Sequence, residues 1–284
     1  MLTAIAELRE EHNHSFGLLI QVDAPSYRSR DFVRLCAKAG VKFVFIGVES
    51  VNSDNLRQIS KRQNRVERYQ EMFQAWRKAG IHVQAGYILG FPGDTPDSIA
   101  HDVAYLLDEV GFDDVMFFYL TPLPGSADHR DRARRGEWLE PDLNRYNLHH
   151  PVTRHPLMST AEWRQAYRDA WKALLDYRRI PNYLRAAQAD GLDTRLVFSR
   201  LLGYRLAVFW YNIHPIEYGS GLRRFQDQRR PDRPLAAGFG LRQWWDTLMS
   251  KYYTRYYHWR IGRIYKRVIN CAPPPLPMQA KRTL

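Results

Sequence analysis

The sequence predicts an α/β protein in which four parallel strands and their crossover helices fill residues 1–126 and a helical, basic region follows. Three observations carry this. Short apolar runs alternate with helically periodic segments, and each run is nearly continuous, as in parallel strands covered on both faces. Each intervening helix ends in glycine, at Gly40, Gly80 and Gly111, the residue that most readily takes the left-handed conformation closing a helix. Residues 1–150 carry 18 Lys+Arg against 21 Asp+Glu, whereas the remaining 134 carry 24 against 9. The net charge of +12 therefore belongs to the second half.

In chain order, a helical pattern on Leu2, Ile5 and Leu8 opens directly at Met1 with no capping lead-in. FGLLIQV at 16–22 reads as the first strand. A helix on Phe32, Leu35, Cys36 and Ala39 leads to the second, KFVFIGV at 42–48. A polar loop then precedes a helix with Val66, Tyr69, Phe73 and Trp76 on one stripe. The third strand opens VQAGYILGFPGDT, residues 83–95, with Thr95 as N-cap and Pro96 at the first position of the next helix. That helix, on Ile99, Val103, Leu106, Leu107 and Val110, returns to a fourth strand, DVMFFYLT at 114–121. Right-handed crossovers place all four strand C-termini on one rim, where such folds hold ligands. Four strands are too few to close a barrel, which leaves an open sheet or part of a barrel.

The stretch 83–95 is the focus of that rim. Gly86 and Gly90 weaken a strand unless something approaches its backbone closely, either a ligand across the strand end or a helix packed against it. Glu49, directly after an apolar strand, needs hydrogen-bond donors to offset desolvation; a ribose diol, an ammonium group or neighbouring loop amides would serve. Asp94 beside Gly93 argues against a phosphate cradle.

After Pro122 the pattern changes. Residues 127–158 read as an irregular connection, and 159–270 as a basic, aromatic-rich helical region. Within the latter, Ser159 and Glu162 form a capping box for a helix on Trp163, Tyr167, Trp171, Leu174 and Leu175. Further helices are predicted over 192–211 and 241–268, and a disordered tail over 271–284. With 45% hydrophobic residues the chain can build a core. It has no apolar run long enough to span a membrane and no signal-peptide pattern. The two cysteines, Cys36 and Cys271, give no disulfide framework and fit a cytoplasmic location.

IGVES at 46–50 with Lys61 beyond it, AGIHVQAGYILGFPGDTPDS at 79–98 and FFYLTPLPGS at 117–126 together resemble the second half of the catalytic domain of radical S-adenosylmethionine (SAM) enzymes. More narrowly, they resemble the branch with a cobalamin-binding domain ahead of it; HPIEYGSGLRRFQDQRRPDRP at 214–234 is similar to that branch's C-terminal region. The resemblance implies a partial (β/α) barrel, of which this chain carries about four parallel strands, with SAM laid across the strand ends. Gly86, Ile88 and Gly90 match the strand motif that flanks the adenine. Glu49 and Ser50 match the strand end that meets the ribose or methionine moiety. Leu120, Pro122 and Gly125 match the last strand edge near adenine. Asp23 matches an acidic position on the rim, although Gln21 stands where an arginine is common. In the family, a [4Fe–4S] cluster on a CxxxCxxC loop reduces SAM to a 5′-deoxyadenosyl radical, and cobalamin assists methyl transfer in this branch.

This sequence has no such cysteine triplet. Cys36 falls inside a helix and Cys271 in the tail, so the expectation is a chain without the cluster loop and any cobalamin domain, not competent alone to cleave SAM. The alternative is a non-catalytic ligand-binding or peripheral membrane module retaining the half-barrel; an RNA-modifying accessory role rests on the basic half alone. HHPVTRHP, with His149, His150 and His155, offers metal-like spacing but no completing ligand. The aromatic-basic stretch 244–267 is suited to packing on its neighbours, to the inner face of an anionic membrane or, less readily, to nucleic acid. The expected partner at the rim is a small-molecule, lipid-like substrate.

Overall fold

Four strands, β1 (Leu18–Val22), β2 (Val41–Glu49), β3 (His82–Leu89) and β4 (Val115–Tyr119), pair in parallel in the order β1-β2-β3-β4 in the computed structural model. The structure describes residues 1–12, 16–59, 61, 63–112, 114–218 and 238–270. Helix α1 (Leu2–His12) precedes the sheet, and α2 (Arg30–Lys38), α3 (Ser53–Gln58) and α4 (Tyr69–Lys78), and α5 (Pro96–Tyr105) fill the three crossovers. Gly40, Gly80 and Gly111 close these crossovers with φ of 85°, 77° and 82°, the left-handed geometry read from the sequence.

The register divides the sheet into two unlike faces. Val44, Ile46, Val48, Val83, Ala85, Tyr87, Val115 and Phe117 share one face through the pairs Val44↔Val83, Ile46↔Ala85, Ala85↔Val115 and Tyr87↔Phe117. All are buried. Trp76 of α4 lies fully buried in the same cluster and meets Phe32 of α2 edge to face at 6.2 Å. On the opposite, inner face, Leu19 is 55% exposed, Gln21 is exposed, and Phe45, Gly47 and Glu49 are half-buried. The expectation of strands covered on both faces thus holds for β3 and β4 and fails toward β1, whose inner face meets solvent.

The second half of the chain covers the rest. Helices α6 (Ala127–Arg134), α7 (Thr160–Leu174), α8 (Ile180–Ala189), α9 (Thr194–Arg205), α10 (Pro215–Tyr218) and α11 (Phe239–Asn270) follow β4. The capping box of α7 forms as the sequence predicts, Ser159 Oγ accepting from Glu162 N and Glu162 accepting from Ser159 N. α8 and the short α3 and α6 are additions to the sequence reading. Ile180, Tyr183, Leu184 and Ala187 do follow a helical stripe, with Pro181 in the first turn. The helix predicted from 192 starts at Thr194 under an Asp193 cap, then winds as a π-helical turn over Leu206–Tyr211. Most of 214–234 and the tail from 271 lie outside the described residues.

α9 closes the N-terminal end of the inner face. Gln84 Nε2 donates to Tyr204 Oη (2.7 Å), Tyr204 donates to Asp114, and Arg200 pairs with Asp114 at 2.8 Å while lying over the Phe43 ring. The outer edge of β4 is sealed by side chains. The Phe117 carbonyl accepts from Tyr167 Oη at 3.1 Å and from His214 Nε2 at 3.0 Å, and Tyr119 N donates to Leu148 O. An edge strand so occupied cannot template a foreign strand.

His214 also stacks on Phe118 at 4.7 Å and accepts from Ile216 N through Nδ1, an arrangement that fits the neutral ring. Burial, and next the nearby His149, lower its pKa to about 3. An unfolded histidine protonates near pH 6.5, so the stability this ring contributes is present in full above that pH and lost as the pH falls toward 3. The expected limit is about 1.4 kcal/mol per pH unit from this one group. Urea unfolding at pH 7, 6 and 5 should show stability falling as the pH falls, most steeply below 6.5, and His214→Gln should reduce that slope by up to this amount. His82 and His149, which burial also lowers to about 4, contribute in the same direction.

Candidate functional site

The C-terminal ends of β2 and β3 are tied together by a buried polar network. The register slips between Gly47 and Glu49, and Glu49 sits at φ 68°, a conformation uncommon for a residue with a Cβ. Its main chain is held from both sides. Asn64 Nδ2 donates to the carbonyls of Gly47 (2.9 Å) and Val48 (3.0 Å), and Tyr69 Oη donates to those of Val48 (2.9 Å) and Ser50 (3.2 Å). The bulge turns the Glu49 carboxylate back over Gly47, where any Cβ would collide with it. Lys61 Nζ lies 3.4 Å from Oε1. A carboxylate thus stands on the inner face at the rim, half-buried and balanced by a single partly exposed ammonium.

Ser50 takes a different part. It is 1% exposed, and its Oγ accepts from Asn52 N at 2.9 Å and Asn55 Nδ2 at 3.4 Å. Asn55 also donates to Asp94 Oδ1 at 3.0 Å, and Asp94 Oδ2 accepts from the amides of Gly90 and Phe91, each at 2.9 Å. The Asp94 carboxylate is therefore spent on the turn after β3. Thr95 caps α5 and exchanges hydrogen bonds with Ser98. Beneath the turn, burial and then the Asp94 charge push the Asp102 carboxyl up to about 6.

The two glycines of the third strand are required by protein side chains. A Cβ on Gly86 would lie 2.7 Å from Phe45 Cζ, and one on Gly90, at φ 100°, would enter the Trp163 indole. Trp163 Nε1 meanwhile donates to Leu89 O at 3.2 Å. Of the two approaches the sequence left open at Gly90, packing by a helix is the one observed, and at Gly86 a neighbouring strand's ring takes the place. Ile88 is half-buried on the inner face, in register with Phe118. Leu120 is half-buried at the end of β4, its amide donating to Leu89 O, and Pro122 is buried. Gly125 has φ 87° and ends the turn before α6. Asp23 is exposed beyond β1, and its side chain makes no capping hydrogen bond. The structure thus gathers Glu49, Gly86 and Ile88 on the inner rim, sets Leu120 and Gly90 at its β4 side, and gives Ser50 and Pro122 buried positions within the protein.

Beside Gly90 and Leu120 opens a cavity of about 620 Å³ whose walls include Arg132, Arg154, Trp138 and Trp163. His155, also in its wall, holds the Phe91 carbonyl at 2.8 Å, and His149 bonds Tyr167 Oη at 2.9 Å. His150 Nδ1 lies 2.8 Å from Asn147 Oδ1, so all three loop histidines are held by protein groups. Among the described residues no group of three His, Cys, Asp or Glu is placed to hold a metal ion. Cys36 is fully buried in α2, and burial raises its thiol pKa. The residues present fit SAM, through a half-buried carboxylate beside an apolar strand end. They do not fit an iron–sulfur cluster. Asn55, Asn64, Tyr69 and Trp163, which hold the rim, carried no functional signal in the sequence.

Replacing Asp94 by Ala should leave the Gly90 and Phe91 amides and Asn55 without their acceptor. The expected loss is about 3 kcal/mol of stability by chemical denaturation, with Gly90→Val also destabilising through its collision with Trp163.

Comparison with known proteins gives the family that part of the chain resembles. Residues 1–106 match the Radical SAM superfamily. The chain is 28% identical over 120 residues to the bacteriochlorophyllide d C-12(1)-methyltransferase of Chlorobaculum tepidum, covering 41% of this chain and 26% of that protein. It is 26% identical over 187 residues to the C-8(2)-methyltransferase of the same organism, covering 63% and 40%. A tRNA-2-methylthio-N(6)-dimethylallyladenosine synthase from a Shewanella species is 34% identical over 88 residues, 30% of this chain and 18% of its own. The matched segments span 18–40% of the length of these relatives. The matched residues 1–106 carry β1, β2 and β3, and the four parallel strands in one sheet are consistent with part of a radical SAM barrel.

Proposed function

We propose that this chain supplies the SAM-facing rim of a radical SAM enzyme that functionalises a C–H bond of a small molecule, with cobalamin-assisted methyl transfer as the favoured outcome. One observation carries the reading. In the segment matching the radical SAM superfamily the strand ends present a half-buried carboxylate, Glu49, and half-buried Ile88, and half-buried Leu120 lies just beyond that segment at the end of β4. Such a set accepts hydrogen bonds from ribose hydroxyls or from an ammonium group and offers apolar contact to a purine. SAM bound there supplies a sulfonium whose C–S bonds are the reactive ones. Two of the relatives are named as methyltransferases, which supports methyl transfer over other outcomes. In this reading the residues of this chain would position SAM, and the inner face stays open toward β1.

The 284 residues hold only two cysteines, so the thiolates of a cluster in an active assembly have to come from other polypeptide. Among the described residues β1 pairs on one edge only, which leaves backbone donors and acceptors for further strands there. The same cysteine count favours a second reading, a non-catalytic module that retains the rim and binds SAM or a similar nucleoside.

Calorimetric titration of the chain with SAM tests the site. Saturable binding is expected at millimolar affinity or tighter, about 4 kcal/mol or more. Glu49→Gln should weaken it about tenfold, which is about 1.4 kcal/mol. Absence of saturable binding, or an unchanged affinity in a folded Glu49→Gln variant, would remove Glu49 and this rim from the SAM site.

A further inference from the structure

We propose that the outward face of α11 lies on an anionic membrane surface. The inference stands on the helix alone and does not rest on the SAM reading. α11 has two faces of opposite character. Toward the protein, Ile261 and Val268 are buried, Tyr253 stacks on Trp210 at 4.1 Å, Tyr265 meets Phe198 at 5.4 Å, and Arg260 lies over Tyr177 at 4.1 Å. Away from it, Leu241, Trp244, Trp245, Leu248, Tyr252 and Trp259 are 45–77% exposed. At 100° per residue these six fall in one stripe about 100° wide. Scattered exposed apolar residues need no explanation, but three tryptophans, two leucines and a tyrosine aligned along one helix do.

Charge selects the occupant. The helix carries seven Lys and Arg against the single acid Asp246. Lys251, Arg255, Arg263 and Lys266 are exposed among or beside the stripe, and Arg263 lies 5.1 Å over the Trp259 ring. Tryptophan and tyrosine favour the headgroup level, leucine the acyl boundary, and long basic side chains reach from there to lipid phosphates. A convex helix face offers single-stranded nucleic acid no groove, and Leu241 and Leu248 would stack on no base. A second copy of the chain would bring like charges together. No described helix is long and apolar enough to cross a membrane, so the helix lies on the surface.

Flotation of the full chain with vesicles of phosphatidylcholine and phosphatidylglycerol tests this. The chain should float with these vesicles, less so at high salt, and stay behind with phosphatidylcholine alone. The double variant Trp245→Ser with Leu248→Ser, both side chains exposed, should keep the circular dichroism spectrum and lose vesicle affinity by on the order of tenfold or more. A wild-type chain that does not float, or a variant that floats as well as wild type, overturns the proposal. So would a stripe whose substitution abolishes oligonucleotide binding or self-association while vesicle binding is unchanged.

Discussion

The outer edge of β4 is the constraint on which the arrangement of the two halves depends. An open parallel sheet leaves a row of backbone groups at each edge that must be paired, covered or solvated. At β4 they are met by parts of the chain distant in sequence: Tyr167 from α7 and His214 from beyond α9 both bond the Phe117 carbonyl. Because each donor is a buried ring, its position is fixed by stacking as well as by hydrogen bonding. Tyr167 stacks on Tyr119 at 4.2 Å and His214 on Phe118 at 4.7 Å. Sealing the edge therefore sets where α7 and α9 run, and through α9 which end of the inner face is closed.

The closed end and the open end divide the labour of that face. Near the strand N-termini, Gln84, Asp114, Arg200 and Tyr204 bond one another. A buried pair of this kind is costly to break but adds little over an apolar core, and here it fixes α9 against the sheet. Toward the strand C-termini no comparable cover exists among the described residues on β1 and β2, and Glu49 is left on that side with Lys61. The inner face is thus open only at the end that the C-terminal helices leave free.

How much of this was legible in the sequence depended on range. The Thr95 cap, the Ser159 and Glu162 capping box and the glycines ending α2, α4 and α5 act within a few residues, and the sequence reading placed all of them. Gly90 did not yield its role, because the indole that excludes a side chain there comes from Trp163, 74 residues beyond Leu89 whose carbonyl it bonds. Ser50 read as a ligand group because a hydroxyl at a strand end looks alike whether it faces solvent or, as here, Asn52 and Asn55. α8 carries its own local marks, Pro181 in the first turn and the spacing of Ile180, Tyr183, Leu184 and Ala187. In α11 the aromatics occur at several helical phases; only contacts with Phe198 and Trp210 separate the packed phase from the exposed one.

The glycines also bear on what the rim requires. If close approach by a ligand were what held Gly86 and Gly90, the strand end would depend on that ligand for its packing. Phe45 and Trp163 already occupy those approaches, and Asp94 already binds the two amides of the turn. The rim is therefore shaped by the protein's own side chains, and its polar groups are satisfied apart from the Glu49 carboxylate's remaining acceptor positions. A site fixed in this way loses little conformational freedom when a ligand arrives. Its geometry is set by residues of this chain alone, through Asn55, Asn64, Tyr69, Asp94 and Trp163.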